Sequence, residues 1–291
     1  MKGLIITNPY DFNLSQRHKT RRMQSELDNL GVFVDVVTND GFLAYIDNGR
    51  IVSDLKVDFA LYFDKDKYVA EMLERRGIRV FNSARATEIC DDKMLTHITL
   101  ADCGIPMPTT MSGTLCYNKQ GKPARSYLKQ AAETLKFPLV VKECYGSYGE
   151  QVYLAHDMAE LSEIVERIKL KPYIFQQYVE KSAGRDMRVI VIGGKVVCGM
   201  IRQSKTDFRS NAQLGGTATA CDVPPEIASM CEKAARIIGL DYCGIDVLLG
   251  DVPEICEVNS NAMFNAMEQA TNINVARKYA EHIVKTIKNK G

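Results

Sequence analysis

YCGIDVLLGDVPEICEVNSN, residues Tyr242–Asn261, contains two apolar, strand-like runs joined by the short link GDVP. In the second run Glu257 and Asn259 stand two residues apart, and strand alternation puts both side chains on one face. If the runs pair as antiparallel strands, Asp246 and Glu257 lie at comparable distances from the link, on that same face. Two carboxylates and an amide in an otherwise apolar strand pair are costly unless something compensates them. These are hard oxygen donors of the kind that suit Mg²⁺, which fills the rest of its shell with phosphate and water. The ordinary alternative is that Glu257 makes a local cap or ion pair and Asn259 begins a turn.

The rest of the chain sets limits on this reading. Its 291 residues are 46% hydrophobic and 25% charged, enough for two or three lobes of a globular protein. A net charge of +1 gives no electrostatic reason to expect nucleic acid or membrane as the main partner. Nine scattered cysteines form no CxxC, which points to a reduced, cytoplasmic chain with mostly buried thiols rather than a disulfide framework or zinc site. The apolar run after Gly3 is too short for a signal peptide, and no run approaches the ~18 residues of a membrane span. The four histidines are dispersed and GxSxG is absent, so a hydrolase has no support.

Periodicity gives an α/β chain. Strands read over 3–8, 32–37 and 57–63 alternate with helices over 15–30 and 67–76, the pattern of a parallel sheet. Asp47-Asn48-Gly49 between two short apolar runs signals a hairpin. A helical stretch over 83–104 ends at IPMPTT, whose prolines break it. Helix 126–137 and two strands around a glycine turn (138–156) follow, then a helix capped by Asp157 and the strand PYIFQQYVE. The last third reads as strands near 186–192, 195–202, 242–249 and 253–258, with helices near 224–238 and 271–288. Residues 203–221 lack periodicity and read as a long loop, the kind that often carries function. The basic helix face Arg17, His18, Lys19, Arg21 and Arg22 suits an acidic acceptor or plain solvation equally well.

Several further groups carry chemistry. Lys142, in the apolar run PLVVKE, needs an anion if buried, and the glycines of CYGSYGEQ after it allow backbone N–H groups to approach phosphate. An edge-strand lysine beside an ordinary hairpin is the plain alternative. Gln177, Tyr178 and Val179 end a strand and offer backbone groups to an adenine ring, Asp186 suits a ribose or a lysine, and Arg188 suits phosphate. A solvated connection between two strands would explain them as well. Arg202, Arg209 and Asn211 cluster in the 200–216 segment, where planar guanidinium forks match phosphate or carboxylate, although a charged solvent loop is the simpler account. Lys93 alone would pass for a surface helix lysine.

Taken together, DDKMLT, PLVVKECYGSYGEQVYL, QQYVEKSAGRDMRV, IRQSKTDFRSNAQLGG, GLDYCGIDVLL and EICEVNSN occur in the order and approximate spacing of the ATP-grasp ligases. The chain most resembles their RimK-like branch of amino-acid ligases, over about residues 83–290. The resemblance implies a three-lobed α/β (α+β) fold: an N-terminal parallel-sheet domain (1–85), a central ATP-grasp subdomain (86–176) and a C-terminal subdomain with the metal ligands (177–291). By that resemblance Lys93 and Lys142 contact ATP phosphates, Gln177, Tyr178 and Val179 form the adenine hinge, and Asp186 holds the ribose side. Arg209, Ser210 and Asn211 complete the nucleotide site, and Asp246, Glu257 and Asn259 bind two Mg²⁺ ions, with Mn²⁺ as the alternative metal. Arg202, supported by Arg188, stabilises the tetrahedral intermediate, and residues 203–221 close over the site. The expected reaction joins an amino acid to a carboxylate-bearing peptide, protein or small molecule through an acylphosphate. The rivals are a D-alanine–D-alanine-type ligase and a non-catalytic ATP-binding regulator. The family's glutamate ligases typically continue EVNxSPG where this chain has EVNSNAMFNAME, a departure beside the expected acceptor.

Overall fold

Residues 1–10, 13–147, 149–210 and 216–289 are described by the computed structural model. The first unit runs β1 (Lys2–Thr7), α1 (Leu14–Asp28), β2 (Phe33–Thr38), β3 (Tyr45–Asp47), β4 (Arg50–Val52), β5 (Phe59–Phe63), α2 (Lys67–Arg75) and β6 (Arg79–Phe81). Its sheet has the order β2-β1-β5-β6, and every pairing is parallel. Gly3 is needed where β1 passes the Phe59 ring, because a Cβ there would lie 2.4 Å from the ring edge. The Asp-Asn-Gly hairpin forms as read, with Asn48 and Gly49 both at positive φ.

The helical stretch over 83–104 is divided. α3 (Ala84–Asp91) and α4 (Lys93–Leu100) meet at Asp92, whose extended backbone and carboxylate cap Met94 N and Leu95 N. The second unit comprises β7 (Thr110–Ser112), α5 (Arg125–Leu135), β8 (Leu139–Glu143), β9 (Val152–Ala155), α6 (Met158–Ile168) and β10 (Tyr173–Gln177). Its antiparallel sheet has the order β7-β10-β8-β9.

The third unit comprises β11 (Arg185–Ile192), β12 (Lys195–Gln203), β13 (Thr217–Cys221), α7 (Pro225–Ile238), β14 (Tyr242–Leu249), β15 (Pro253–Asn259), α8 (Asn265–Thr271) and α9 (Val275–Lys288). Its antiparallel order is β13-β12-β11-β14-β15. Two details differ from the sequence reading. The end of the expected 203–221 loop is strand β13, paired to β12 and invisible to periodicity because it is a half-exposed edge. The helix expected near 271–288 is α9, starting at Val275, and the short helix α8 before it, ended where Asn272 adopts φ 57°, was not expected.

The cores explain how the units are joined. Ile5, Met23, Leu27 and Phe59 of the first unit pack in one cluster with Ile190, Tyr242, Phe264 and Tyr279 of the third. The opposite face of the third sheet packs on α3, α4 and α7, through Ala86, Ile89 and Leu100 among others. The second unit has its own core, including Leu128, Val141, Leu161 and Phe175. Each such fully buried side chain contributes roughly 1.5–3 kcal/mol. The first and third units thus share one core, and the second meets them across a polar boundary.

One member of the basic helix face is not solvated. Lys19 is fully buried between the rings of Phe63 and Tyr242, 4.3 and 4.9 Å from their centroids. Its ammonium donates to Asn261 Oδ1 (2.5 Å) and to the Ala262 carbonyl (3.1 Å). Burial pushes this ammonium down to about 7; the ring faces and two oxygens oppose that cost without a counter-charge. As pH falls from about 10.5 towards 7 the unfolded chain takes up the proton first, so folding stability rises with pH across this window. Lys19→Met should flatten that part of the profile of unfolding free energy against pH, by an amount on the order of a few kcal/mol. Equal slopes in the parent and the variant would place the Lys19 ammonium in water.

Candidate active site

The strand pair quoted at the outset forms as read: β14 and β15 are antiparallel, with Asp246 opposite Glu257 and Gly244 opposite Asn259. The next pairings extend the stripe. Arg188 on β11 lies opposite Asp246, and Asp186 on β11 lies opposite Arg202 on β12. Directly opposed residues share a face, so one sheet face carries Arg202, Asp186, Arg188, Asp246, Glu257 and Asn259 across four strands.

The compensation that the buried carboxylates require comes first from the chain itself. Asp246 is 5% exposed. It accepts from Arg188 Nε and Nη2, both at 2.6 Å, and its Oδ2 lies 2.9 Å from Arg202 Nη2. Arg202 in turn donates from Nε to Asp186 Oδ1 at 2.8 Å and from Nη2 to Asp186 Oδ2. The result is a continuous chain Arg188–Asp246–Arg202–Asp186 built of two forked pairs. Burial alone would raise Asp246, but Arg188 and Arg202 outweigh it and hold the carboxyl below its usual range. Burial would likewise lower Arg202, and Asp246 and Asp186 reverse the sign.

Two of the expected residues are held by the chain itself. Each oxygen of Asp186 accepts one bond from Arg202 and keeps a further lone pair. Arg202 is the more enclosed of the two arginines, with 6% of its side chain exposed against 15% for Arg188.

The other expected residues converge on β15 from outside the third sheet. Lys142 on β8, itself buried, donates to Cys256 Sγ at 3.2 Å. Burial pushes the Cys256 thiol up, with Lys142 opposing. Lys93, at the first position of α4, lies 3.7 Å from Glu257 Oε1 and 3.4 Å from the Gly146 carbonyl of the glycine turn. A bulge explains how adjacent residues reach both lysines. Asp246 pairs with Glu257 while Val247 pairs with Ile255, leaving Cys256 as the extra residue. Arg209 donates to the Gly149 carbonyl (2.5 Å) and makes a forked pair with Asp207, tying the start of the 203–221 segment to the glycine turn. Gly184 accommodates that segment: its φ is +64°, and a Cβ would lie 2.8 Å from the Asp207 carbonyl. Gln177, Tyr178 and Val179 lead from β10 into a 3₁₀ turn (Glu180–Ser182) ahead of β11, so they form the passage between the second and third sheets. Ser210 is buried. Asn211 lies outside the described residues.

Mg²⁺ fits the donors present. Glu257 keeps 31% of its side chain exposed, with Lys93 as its only ion-pair partner among the described residues. The Asn259 amide has a buried terminal atom without a partner, and the two amide ends can exchange places. Asp246 Oδ1 accepts one bond, which leaves it a lone pair. Among the described residues no cluster of three or more His, Cys, Asp or Glu could hold a metal, and Mg²⁺ usually completes its shell with phosphate and water. Sequence reasoning missed Cys256, Lys19 and the buried pair His97–Gln176, whose ring nitrogen and amide lie 3.0 Å apart. Burial, then Lys142, pushes His97 down to about 4. None of these residues belongs to a spacing motif.

Comparison with known proteins places the geometry in a family. The RimK-like ATP-grasp domain matches residues 90–283. Beta-citrylglutamate synthase B of Homo sapiens is 35% identical over 279 residues, covering 91% of this chain and 70% of that protein. A probable alpha-L-glutamate ligase of Maridesulfovibrio salexigens is 33% identical over 226 residues, covering 75% and 71%. The chain spans 54–70% of the length of the human, mouse and zebrafish synthases that it matches. D-alanine–D-alanine ligase from Bacillus anthracis, solved with ATP, superposes with a TM-score of 0.76 at 19% identity over the whole of both chains. The ATP-grasp ligase PsnB, solved with minimal precursor, Mg and ADP, gives 0.70 at 18% over 98% of both. At that identity the two structures establish the fold.

The buried arginine–carboxylate chain can be tested without any ligand. Asp186→Asn leaves Arg202 short of one carboxylate in a closed sheet, and should cost about 3 kcal/mol of unfolding free energy in the nucleotide-free protein, read from denaturant midpoints. Unchanged stability with weakened nucleotide binding would place Asp186 at the ribose.

Proposed function

The chain belongs to the RimK-like ATP-grasp family of ligases, and on that premise we propose that it joins an amino acid to a carboxylate-bearing acceptor, with ATP cleaved to ADP and phosphate. The observation that carries this reading is the polar face of β12-β11-β14-β15, met at β15 by Lys142 and Lys93. Two lysines, two arginines and a set of oxygen donors around one space suit a triphosphate with its metal. The sheets act as first, central and last lobes over about residues 1–85, 86–176 and 177–291, with α3 and α4 packed on the last.

An acceptor carboxylate oxygen attacks the γ-phosphorus, the bond to the β-phosphate oxygen breaks, and ADP leaves an acylphosphate. The amine nitrogen then attacks the carbonyl carbon, the carbon–oxygen bond to phosphate breaks, and the amine's proton leaves with phosphate or water. Glu257, Asn259 and Asp246 would hold Mg²⁺, which when bound would supply neutralisation of the phosphate charge. Lys142 and Lys93 orient the phosphates against the glycine turn. Arg188, the more open arginine, faces charge developing on the carbonyl oxygen, and Arg202 and Asp186 hold the Arg188–Asp246 pair in place. Residues 203–210, tied to the turn through Arg209, limit access of water to the acylphosphate. The relatives' names make glutamate the first amino acid to test. Two metal ions, and Mn²⁺ in place of Mg²⁺, are further parts of this proposal.

Phosphate release from Mg-ATP, measured over a panel of amino acids with and without peptides and carboxylate metabolites, should depend on one amino acid and one acceptor. Nucleotide binding without release would favour a regulator. Glu257→Gln should lower turnover by ~10²-fold or more while leaving the melting temperature nearly unchanged, because its only ion-pair partner among the described residues is Lys93 at 3.7 Å. Turnover within threefold of the parent would remove Glu257 from the metal set.

A further inference from the structure

The second sheet buries polar groups that the proposed chemistry does not use. Thr110 lies opposite Gln176, and Lys142 opposite Ile174, so strand alternation puts Thr110, Gln176 and Lys142 on one face across β7, β10 and β8. The other face, with Val141 and Phe175, forms the apolar core of that unit. Gln176 is 1% exposed. A buried amide needs partners, and Gln176 finds them on three other elements. Its nitrogen donates to Thr110 Oγ1 at 2.9 Å and meets His97 Nε2 of α4 at 3.0 Å, and its oxygen faces Cys256 Sγ of β15 at 4.0 Å.

The available hydrogens give this group a direction. The Thr110 hydroxyl donates its one hydrogen to the Pro108 carbonyl (2.8 Å), so toward Gln176 its oxygen is an acceptor. Burial keeps the His97 imidazole neutral at physiological pH, so its Nε2 can accept as well. Both hydrogens of the Gln176 amide are thereby taken, and its oxygen is left for the Cys256 thiol. Cys256 Sγ in turn accepts from Lys142 Nζ at 3.2 Å. One directed series of donors runs from Lys142 to Cys256, to Gln176, to Thr110 and to the Pro108 carbonyl, crossing from the second sheet to β15 and back. The carboxylates that hold Arg188 and Arg202 neutralise those arginines as well as aim them. Sulfur is a weak, uncharged acceptor, and an ammonium has three hydrogens, so this contact aims Lys142 and leaves it two N–H groups for phosphate.

We propose that Cys256 is a positioning residue for Lys142, and that Gln176, clamped by Thr110 and His97, holds the thiol in place from behind. The bulge serves this arrangement by making Cys256 the extra residue of β15. The proposal rests on the ligase reading, in which Lys142 contacts the nucleotide phosphates. An ammonium aimed before nucleotide arrives lowers the ordering cost of binding it.

A double-mutant cycle on Mg-ADP affinity, read by calorimetry, separates positioning from packing. Lys142→Met should weaken Mg-ADP binding about tenfold or more. Cys256→Ala should weaken it about fivefold, while Cys256→Ser, which keeps an acceptor, should stay within about twofold of the parent. In the Lys142→Met protein Cys256→Ala should have no further effect, because no ammonium is left to aim. Gln176→Met should weaken binding in the parent but not in the Cys256→Ala protein. The proposal is overturned if Cys256→Ala binds Mg-ADP as the parent does, or if its loss persists undiminished beside Lys142→Met, which would make Cys256 a direct nucleotide contact or a packing residue. Weakening by Lys142→Met with Cys256→Ala unaffected would uphold the ligase reading and remove only the positioning role. Unchanged affinity in Lys142→Met, or a parent that binds no Mg-ADP, would end both.

Discussion

The third sheet depends on one electrostatic constraint: Asp246 and Asp186 are buried, and each must be neutralised inside the protein. The solution is cross-strand. Arg188 faces Asp246 from β11, and Arg202 spans from Asp186 to Asp246, so three adjacent strands are locked in register by charge as well as by backbone bonds. A one-residue slip would drive these groups to the opposite, apolar face, where Met187, Val189, Ile245 and Val247 pack against α3 and α7. A buried ion network need not add net stability over apolar residues of equal volume. Here it leaves a charged face that a sheet of valines could not offer to a metal and a triphosphate.

The same constraint shows what could be read from the sequence. The pairing of Asp246 with Glu257 was legible because both runs are short, apolar and joined by a four-residue link, which leaves little freedom of register. The parallel first sheet, the Asp-Asn-Gly hairpin and the Asp157 cap were legible for similar local reasons. What neutralises Asp246 was not, because Arg188 and Arg202 lie 58 and 44 positions away and only the pairing of non-consecutive strands brings them close. The Arg202 partner of Asp186 was hidden for the same reason, because strand register rather than spacing sets it. Lys19 was hidden differently: on α1 it sits among Arg17, His18, Arg21 and Arg22, and composition alone makes that face a solvated one.

The bulge at Cys256 is the other feature that sequence reasoning could not supply. In a regular strand Cys256 and Glu257 point to opposite faces. The extra residue re-aims one of them, and the two lysines of the second unit and α4 then meet consecutive positions of β15. Among the described residues, Lys142–Cys256 and Lys93–Glu257 thus bring the second sheet and α4 onto adjacent positions of one strand.

The first and third units have the opposite relationship. They share one apolar core, and the turn after the last oxygen donor is held from the first unit: Asn82 donates to the Ser260 carbonyl, Lys19 holds Asn261 and Ala262, and Tyr242 OH donates to Ala262 from within. In place of the Pro-Gly expected after EVN, this chain holds the turn with side chains reaching from another lobe. Stiffness that comes from proline is local and independent of its neighbours, whereas stiffness that comes from Lys19 exists only while α1 is docked. The position of the turn, and with it the end of the strand that carries Asn259, is therefore set by the packing of the first unit. A substitution in α1 far from the nucleotide can act on the chemistry through this contact, and its effect should appear in the handling of the substrate beside the turn before it appears in the binding of nucleotide.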